Sequence, residues 1–460
     1  MRWGAAETAF PAQVPCPSIR TLEVDGRKAL TSSAIREFQQ DRLAFLKRCA
    51  ETADVVHVRL GADDVLVISR PELATEVMLT RRADFSKAYL TSIMPPLLAG
   101  SLLLADSDSW LHQRKLMLPA FHKERLDMYA AVMAEESERA IATWQSGQRR
   151  DIHSEMMRLT LQIVTRTLFG LDFSKGVEAT ERLIDALMDE VNSRIASPFR
   201  FRYPLPSLRT LRLYRAMKEL DEIAYTAIRE RRRHPQEDLM SMLVGATDED
   251  GTPMTDREVR DACLAVFFAG HETTACLLSW TWYVLAGRED VERKLLAELT
   301  GRAAHSASPA ELIERLPYMQ NVLNEALRLY PPAYAFGRRA MRDTRVGDHE
   351  VKAGQTVVMS PWAMHRDPRF WDEPEKFAPD RWQNNLATRL PKFTFFPFSS
   401  GPRRCVGSSF AMLEATIAIA TILPRFRLSS PPPVVEPAPS ITLRPGGGMP
   451  MTVTRRKRLN

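Results

Sequence analysis

The most informative chemical group in this sequence is the thiol of Cys405, which stands directly before an apolar stretch that predicts a helix over 407–424. The first amides and the dipole of a helix favour negative charge, and Arg403 and Arg404 add positive charge beside the thiol. These features predict a lowered pKa and a thiolate, which serves as a nucleophile, a redox thiol or a metal ligand. No histidine base or second cysteine is near in sequence, so the pattern favours a metal ligand over a buried structural cysteine.

The residues around Cys405 indicate which metal group it would hold. Gly401 and Gly407 would let the backbone approach a flat macrocycle, and an axial haem ligand needs one thiolate only. With Phe398 and Arg403 they complete the pattern Phe-x-x-Gly-x-Arg-x-Cys-x-Gly. This segment resembles the haem-binding loop of the cytochrome P450 family at every position of the pattern. The resemblance implies heme b (iron protoporphyrin IX), with Cys405 as its axial thiolate.

A polar cluster interrupts the apolar helix that is predicted over 256–286. Burying a polar group costs free energy unless it has a hydrogen-bond partner, so polar residues in the middle of an apolar helix require an explanation. Gly270 would open space over a ligand, the Thr273 hydroxyl can bond a backbone carbonyl, and Glu272 adds a carboxylate. This segment, which begins at Ala269, resembles the family's oxygen-activation motif, (Ala/Gly)-Gly-x-(Asp/Glu)-Thr. The resemblance implies that Thr273 holds dioxygen and a water, while Glu272 connects to the proton supply.

The same residues also begin a zinc motif, His-Glu-x-x-His, at His271 and Glu272. Ala275 stands where that motif needs its second histidine, so we reject a zinc site. His271 is expected to be an ordinary helix residue.

Three charged residues resemble the structural core of the family. Glu325 and Arg328 match its Glu-x-x-Arg, and Arg381 matches its Pro-x-Arg element. The resemblance implies a buried ion network that locks the irregular segment 361–404 under the haem. All three residues are needed together, because a buried charge without a partner is very costly.

Further cations resemble the family's ligands for the haem propionates. Trp110 and Arg114 match its Trp-x-x-x-Arg helix, through an indole N–H and an ion pair. Arg403 is a second cation, and Arg338 resembles a third, although the adjacent Arg339 is an alternative.

Apolar residues from separate segments are expected to line a substrate pocket. By their position relative to the family these are Leu103, Ala265, Val266, Ala269, Ala333, Phe336 and Met449. The segment 193–207 is expected to form a mobile lid. The resemblance implies hydroxylation or epoxidation of a hydrophobic molecule such as a fatty acid, terpenoid or polyketide.

These groups must be positioned by a largely helical chain. Apolar periodicity predicts helices through most of 70–300 and again over 310–329, with short strands over 55–69 and 344–360. The fold class is therefore mainly α with a minor β region. The resemblance implies a P450-like single large domain over 31–460, with the haem between the central helix and the cysteine-loop helix. Residues 1–30 are expected to be an irregular N-terminal segment.

Composition bounds the remaining function classes. The 460 residues carry 63 Lys and Arg against 57 Asp and Glu, an excess that fits an ordinary surface or an acidic protein partner. The five cysteines are widely spaced, which argues against a secreted disulfide framework. Without a signal-peptide pattern, an apolar run of about 18 residues or an aromatic-basic stripe, we expect a cytoplasmic monomer with no membrane span and no nucleic-acid partner.

Electrons are expected from a separate ferredoxin or flavodoxin and its reductase, since no such module is recognisable in the chain. Lys115, Lys392 and Arg404 could form a basic face for such an acidic partner. One alternative is a haem-thiolate enzyme that uses peroxide or rearranges its substrate. An alternative from another class is a non-catalytic haem-binding or gas-sensing protein, which would not need Glu272 and Thr273.

Overall fold

The computed structural model describes residues 21–24, 27–30, 34–60, 63–88, 91, 94, 100–170, 177–196, 208–247, 251–302, 309–431 and 434–457. Helices predominate within these ranges and the strands are short, which confirms the mainly α fold class with a minor β region. The largest apolar core lies among the helices, and two smaller clusters lie against the largest sheet.

The helices largely follow the apolar periodicity of the sequence. Those of the described part are α1 (Ala34–Gln40), α2 (Arg42–Thr52), α3 (Pro71–Thr75), α4 (Ser107–Met117), α5 (Lys123–Ile141), α6 (Ile152–Phe169), α7 (Val177–Ala196), α8 (Leu208–Arg233), α9 (Leu239–Gly245), α10 (Asp256–Leu285), α11 (Glu289–Arg302), α12 (Pro309–Arg315), α13 (Pro317–Leu329), α14 (Pro361–Met364), α15 (Leu386–Arg389) and α16 (Ser408–Ile422). The single helix predicted over 310–329 is wrong, because Pro317 begins a new helix there as its first residue.

The strands form one large sheet and several small ones. They are β1 (Thr21–Val24), β2 (Arg27–Leu30), β3 (Val55–Leu60), β4 (Asp63–Ile68), β5 (Phe85–Ser86), β6 (Arg149–Asp151), β7 (Phe336–Ala340), β8 (Thr344–Val346), β9 (His349–Val351), β10 (Thr356–Met359), β11 (Phe426–Ser429), β12 (Pro437–Pro439), β13 (Leu443–Pro445) and β14 (Pro450–Arg455). Seven strands pair in the order β1-β2-β3-β4-β10-β7-β5, and the smaller sheets are β11-β14-β6, β12-β13 and β8-β9. Strand β10 joins β4 in parallel, with Thr356 opposite Val65.

The irregular N-terminal segment predicted over 1–30 is wrong for residues 21–24 and 27–30. Strands β1 and β2 pair there as an antiparallel hairpin, and β2 adds to β3 in parallel. The intervening Asp25-Gly26 lies outside the described residues, but Asp-Gly is a sequence that favours two-residue hairpin loops. The strands are too short for apolar alternation to reveal them, so the turn residues were the available signal.

Helix α10, which we call the central helix, begins where the sequence predicts. The Thr255 hydroxyl accepts a hydrogen bond from the Glu258 N–H at 3.3 Å, and the Glu258 carboxylate accepts one from the Thr255 N–H at 2.8 Å. This capping box satisfies two amides that the helix start would leave without partners. The central helix packs chiefly against α6. By length and composition it could cross a membrane, but 83% of its apolar window is buried in the protein, as in a core helix.

Helix α16, which we call the cysteine helix, follows Cys405 and is apolar on all sides. It packs against α5, the central helix, α12 and α13, so nearly its whole length lies in the core. This burial fixes its first turn, and therefore the position of the cysteine loop (Phe398–Gly407), relative to the central helix.

Candidate active site

A cavity of about 450 Å³ lies between the central helix and the cysteine loop. Residues from the expected segments line it, namely Leu103, Ala265, Val266, Ala269, Ala333 and Phe336. Met449 does not line the cavity, and its prediction as a pocket residue is wrong. Its backbone bonds to Asp151 and Ile152 instead, which holds it in the core. Ser440 and Ile441, from the turn between β12 and β13, line the cavity in its place.

The cysteine loop folds back on itself and presents Cys405 to the cavity. The Cys405 N–H donates to the Phe398 carbonyl at 2.9 Å, and both residues line the cavity. Gly401 has φ +68°, and a Cβ there would lie 2.3 Å from Leu79 Cδ2, so the chain itself requires glycine. Gly407 has φ −88° and room for a Cβ on the protein side. The protein itself would therefore accept a side chain at position 407. The glycine is explained by the cavity instead, because its bare backbone would let a flat ligand approach closely.

The surroundings of Cys405 indicate a metal ligand rather than a free nucleophile. Cys405 is exposed to the cavity, but the protein that surrounds it on the other sides removes water and raises the pKa of its thiol. The Gly407 N–H and the charges of Arg114, Arg404 and Lys87 oppose that rise without reversing it. The lowered pKa expected from the sequence is therefore wrong for the protein alone. Coordination to a metal ion deprotonates a thiol outright. A bound iron would therefore stabilise the Cys405 thiolate, which the protein alone does not.

The other described cysteines lie away from the cavity. Cys49, Cys263 and Cys276 are buried, and burial raises their pKa, to about 12 for Cys49 and Cys276. Cys405 is thus the cysteine that lines the cavity among those described, and Cys16 lies outside the described residues.

Five cations line the cavity beside one tryptophan. Arg404 is exposed at the surface, and we call the other four, Lys87, Arg114, Arg338 and Arg403, the cation cluster. Arg403 lies over the Trp110 ring, with its guanidinium carbon 4.3 Å from the ring centroid. Burial, aided by the charge of nearby arginines, lowers the pKa of Arg338 to about 10 and that of Lys87 to about 7. These cations are therefore crowded and poorly hydrated.

The described residues supply little negative charge to balance this cluster. Asp106 pairs with Arg403 at 2.5 Å and also accepts the Lys87 backbone N–H at 2.8 Å. The Arg338 guanidinium donates to the neighbouring Gly337 carbonyl, and that of Arg114 to the Arg404 carbonyl. The excess positive charge suits a ligand with two carboxylates, and haem carries two propionates. The residues present therefore fit the haem group.

The structure also decides between the two adjacent arginines of β7. Side chains alternate along a strand, and Arg338 faces the cavity while Arg339 approaches Asp63 at 3.5 Å. Lys87 was missed by the sequence analysis, because a single lysine after a two-residue strand looks like a surface residue. Its burial arises from contacts with residues far along the chain.

The polar cluster of the central helix divides between two environments. Thr273 lines the cavity, and its hydroxyl donates to the Ala269 carbonyl at 2.6 Å. Gly270 also lines the cavity, and a Cβ there would lie 3.1 Å from Val164, so this glycine also permits close packing against α6. Glu272 does not line the cavity and is 2% exposed.

Glu272 instead points to the turn between β12 and β13. Its carboxylate accepts hydrogen bonds from Arg444, at 2.8 Å, and from the Thr442 hydroxyl. The Arg444 side chain is 19% exposed, so this pair connects the buried carboxylate to the protein surface. Neither partner was identified from the sequence, since each lies about 170 residues away along the chain.

Two further buried titratable groups, His271 and Glu414, lie next to this polar cluster. His271 is fully buried, its Nδ1 lies 2.6 Å from the Phe267 carbonyl oxygen, and burial lowers its pKa. Glu414 of the cysteine helix is also fully buried, and burial raises its pKa well above the usual value, against a smaller opposing effect of Thr274. The sequence analysis missed Glu414.

The predicted ion network forms around Glu325, and we call Glu325, Arg328, Arg381 and Trp382 the Glu325 clamp. Arg328 donates to both carboxylate oxygens of Glu325 at 2.9 Å, Arg381 donates at 2.9 Å and the Trp382 indole at 2.8 Å. Arg328 also donates to three backbone carbonyls, of residues His365, Pro374 and Lys376. Glu325 and Arg328 are 0% exposed, so these bonds form without competing water. Trp382 was not predicted.

The predicted basic face lies at the surface. Lys115, Lys392 and Arg404 are exposed. Residues 197–207 of the expected lid lie outside the described residues, and 193–196 form the end of α7.

Comparisons with known proteins agree with this geometry. A family model described as Cytochrome P450 matches residues 34–451. Cyclooctatin synthase of Streptomyces melanosporofaciens is 31% identical over 414 residues, which cover 88% of this chain and 89% of that protein. Cyclooctat-9-en-7-ol 5-monooxygenase of the same organism is 32% identical over 405 residues, which cover 87% and 86%. The crystal structure of CYP175A1 from Thermus thermophillus matches with a TM-score of 0.75 at 27% identity, covering 94% of this chain and 100% of that one.

Proposed function

Since this chain belongs to the cytochrome P450 family of haem-thiolate monooxygenases, we propose that it inserts one oxygen atom of dioxygen into a hydrophobic, terpenoid-like molecule. The observation that carries this proposal is the cavity in which Cys405 and the cation cluster meet the apolar wall of the central helix. Cys405 is assigned as the axial ligand of heme b. The cation cluster and Trp110 are assigned to the propionates.

The oxygen chemistry depends on the haem, which supplies the iron that binds and activates dioxygen when it is bound. The protein's part is to deliver protons. The Thr273 hydroxyl directs its own proton at the Ala269 carbonyl, which leaves its oxygen able to accept a hydrogen bond from the cavity. Glu272, linked to the surface through Arg444, is assigned to exchange protons with solvent on the other side of the helix.

The substrate class follows from the wall of the cavity. Ala265, Val266, Ala333 and Phe336 present small or apolar groups and no charge, so a hydrocarbon skeleton is favoured there by burial. The name of one relative points in the same direction, since that protein is a cyclooctat-9-en-7-ol 5-monooxygenase, whose substrate is named as an alcohol. A terpenoid-like molecule is therefore proposed ahead of a fatty acid or a polyketide.

The electrons are proposed to come from a separate ferredoxin or flavodoxin in the cytoplasm, delivered to a monomer. The exposed cations Lys115, Lys392 and Arg404 support an acidic partner. Turnover supported by such a partner should fall as salt rises, and turnover that is independent of salt would argue against this basic face.

Carbon monoxide binding tests the central assignment. The reduced protein should show the strongly red-shifted Soret band of thiolate ligation, and Cys405→Ala should abolish it because the ligand is removed. Cys49→Ala, which removes a buried thiol away from the cavity, is the matched control and should keep the band. A Cys405→Ala variant with an unchanged band would refute the assignment.

A second variant tests the role of Thr273. Thr273→Ala should lower the product formed per electron consumed severalfold, because the hydroxyl oxygen that accepts a hydrogen bond on the proton-delivery route in the cavity is lost. Thr281→Ala is the matched control, since Thr281 lies on the same helix outside the cavity wall and makes the same bond to the carbonyl four residues earlier, at 2.7 Å. If Thr273→Ala keeps full coupling, another group delivers the protons.

A further inference from the structure

The turn between β12 and β13 reaches the cavity on a rigid support. The Ser440 N–H donates to the Thr442 carbonyl at 3.0 Å, which closes the turn. The Leu443 carbonyl accepts the Trp280 indole N–H at 2.8 Å, and the Leu443 N–H donates to the Pro332 carbonyl at 3.0 Å. With Thr442 bonded to Glu272, the turn is tied to the central helix, so a side chain on it is held in a defined position.

Ser440 places a hydroxyl in the cavity wall at the tip of this turn. The residue lines the cavity and is 9% exposed. Its hydroxyl contacts the Met188 sulfur at 3.2 Å, and a thioether is a weak acceptor. Among the described residues no donor reaches the hydroxyl oxygen of Ser440, whereas its carbonyl oxygen accepts the Tyr334 hydroxyl. The lone pairs of this buried oxygen are therefore available to a ligand.

The other polar groups of the cavity wall are engaged differently. The hydroxyls of Thr273 and Thr274 donate to carbonyls of their own helix, at 2.6 and 3.0 Å. The cation cluster belongs to the end of the cavity that is assigned to the haem propionates. Ser399, whose buried hydroxyl has no partner among the described residues, lies in the cysteine loop that is assigned to the haem.

Around Ser440 the described wall is largely apolar, with Ile441 beside it and Val191 from α7. Tyr334 also lines the cavity, and its hydroxyl donates its proton to the Ser440 carbonyl at 2.9 Å. A polar atom in such a wall is costly unless it finds a partner.

We propose that Ser440 is a recognition site for a hydroxyl group on the substrate. Its oxygen accepts a hydrogen bond from an alcohol on an otherwise apolar ring skeleton, and this contact orients the skeleton in the cavity. This inference rests on the proposed function and narrows its substrate class to molecules that already carry one hydroxyl. A reaction that installs that hydroxyl, by hydration or by an earlier hydroxylation, must therefore precede this enzyme.

Matched pairs of ligands test the proposal by binding, without turnover. The haem-loaded protein is titrated with 1-adamantanol and adamantane, and with cedrol and cedrene, while the spin-state change of the Soret band is recorded. In Ser440→Ala the dissociation constant of each alcohol should rise about five- to tenfold, as expected for one neutral hydrogen bond. The constants for the hydrocarbons should change less than about twofold, because they do not use the hydroxyl.

Two further variants distinguish recognition from packing. Ser440→Thr keeps a hydroxyl and should keep the preference for alcohols. Ile441→Val trims the apolar wall beside it and should weaken alcohols and hydrocarbons alike. The carbon monoxide spectrum and the melting temperature of each variant show that its haem site and fold are intact.

Each outcome bears on a separate claim. If Ser440→Ala shifts alcohols and hydrocarbons equally, or shifts neither, Ser440 is a turn residue and the recognition site is refuted. If a thiolate-type carbon monoxide spectrum is present but no member of either pair binds to the wild type, the apolar substrate class falls, and the recognition site with it. Loss of that spectrum in the wild type would instead overturn the proposed function itself.

Discussion

The Glu325 clamp and the cation cluster both bury charge beside the irregular segment 361–404, but they differ in how far the chain itself neutralises them. In the clamp, the Glu325 carboxylate receives donors from Arg328, Arg381, Trp382 and a backbone amide. The one surplus positive charge of the two arginines is directed at backbone carbonyls. In the cation cluster, four described cations share mainly the carboxylate of Asp106.

This difference separates two uses of buried charge. Where every buried donor has an acceptor within the chain, the charged group stabilises the fold. Removing one member then leaves its partners buried and unpaired. A group with excess charge is costly to the protein alone and becomes favourable when an anionic ligand arrives. The clamp is therefore assigned to stability and the cation cluster to cofactor binding.

Breaking the clamp should have the largest effect on stability. Glu325→Ala leaves Arg328, which is 0% exposed, without its carboxylate, and should lower the free energy of unfolding by about 3–5 kcal/mol. Urea denaturation followed by circular dichroism measures this change. Glu311→Ala, which removes a half-exposed partner of Arg315, is the control and should cost no more than about 0.5 kcal/mol. A cost below about 1 kcal/mol for Glu325→Ala would contradict the idea of a self-contained clamp.

Removing a member of the cation cluster should weaken haem binding without lowering the stability of the haem-free protein. Arg338→Met should speed loss of haem to a scavenger protein about tenfold or more, since a charge-assisted bond to a carboxylate contributes about 1.5–3 kcal/mol. After haem extraction the same variant should be no less stable than the wild type, because repulsion with Arg403 is relieved. Arg339→Met changes the adjacent residue, which faces away from the cavity, and should leave the rate of haem loss unchanged. Equal rates in both variants would remove the distinction between cluster and clamp.

The sequence predicted the parts of this arrangement that are local. The capping box at Thr255, the cysteine loop around Cys405 and the pairing of Glu325 with Arg328 each lie within ten residues, so their spacing alone indicated them. Most helices were predicted for the same reason, since periodicity is a local signal. Strands β1 and β2 were not, because four residues carry too little alternation.

The parts that the sequence analysis missed depend on contacts between distant residues. Arg444 meets Glu272 across 172 positions, and Lys87 is buried by residues from several segments. Met449 was wrongly placed in the pocket because its position relative to the family, and not its tertiary contacts, suggested that role. No spacing rule connects such residues, because only the tertiary packing of distant segments brings them together.

Glu414 provides a third case, a buried acid that no described cation and no assigned ligand neutralises, and that only Thr274 stabilises weakly in its charged form. Burial raises its pKa well above the usual value, so it is protonated in the folded protein at pH values where the unfolded chain ionises it. Folding then binds a proton, and this residue's contribution to stability falls as pH rises above about 4.5, by up to about 1.4 kcal/mol per pH unit until the raised pKa is reached. Glu414→Gln cannot ionise, so its free energy of unfolding should decline less steeply with pH than that of the wild type. Urea denaturation from pH 5 to pH 8 measures the two slopes, with Glu436→Gln, an exposed acid, as the control. Identical slopes for the wild type and Glu414→Gln would mean that Glu414 is ionised in the folded protein and must have a cationic or hydrogen-bonding partner, as the members of the Glu325 clamp do.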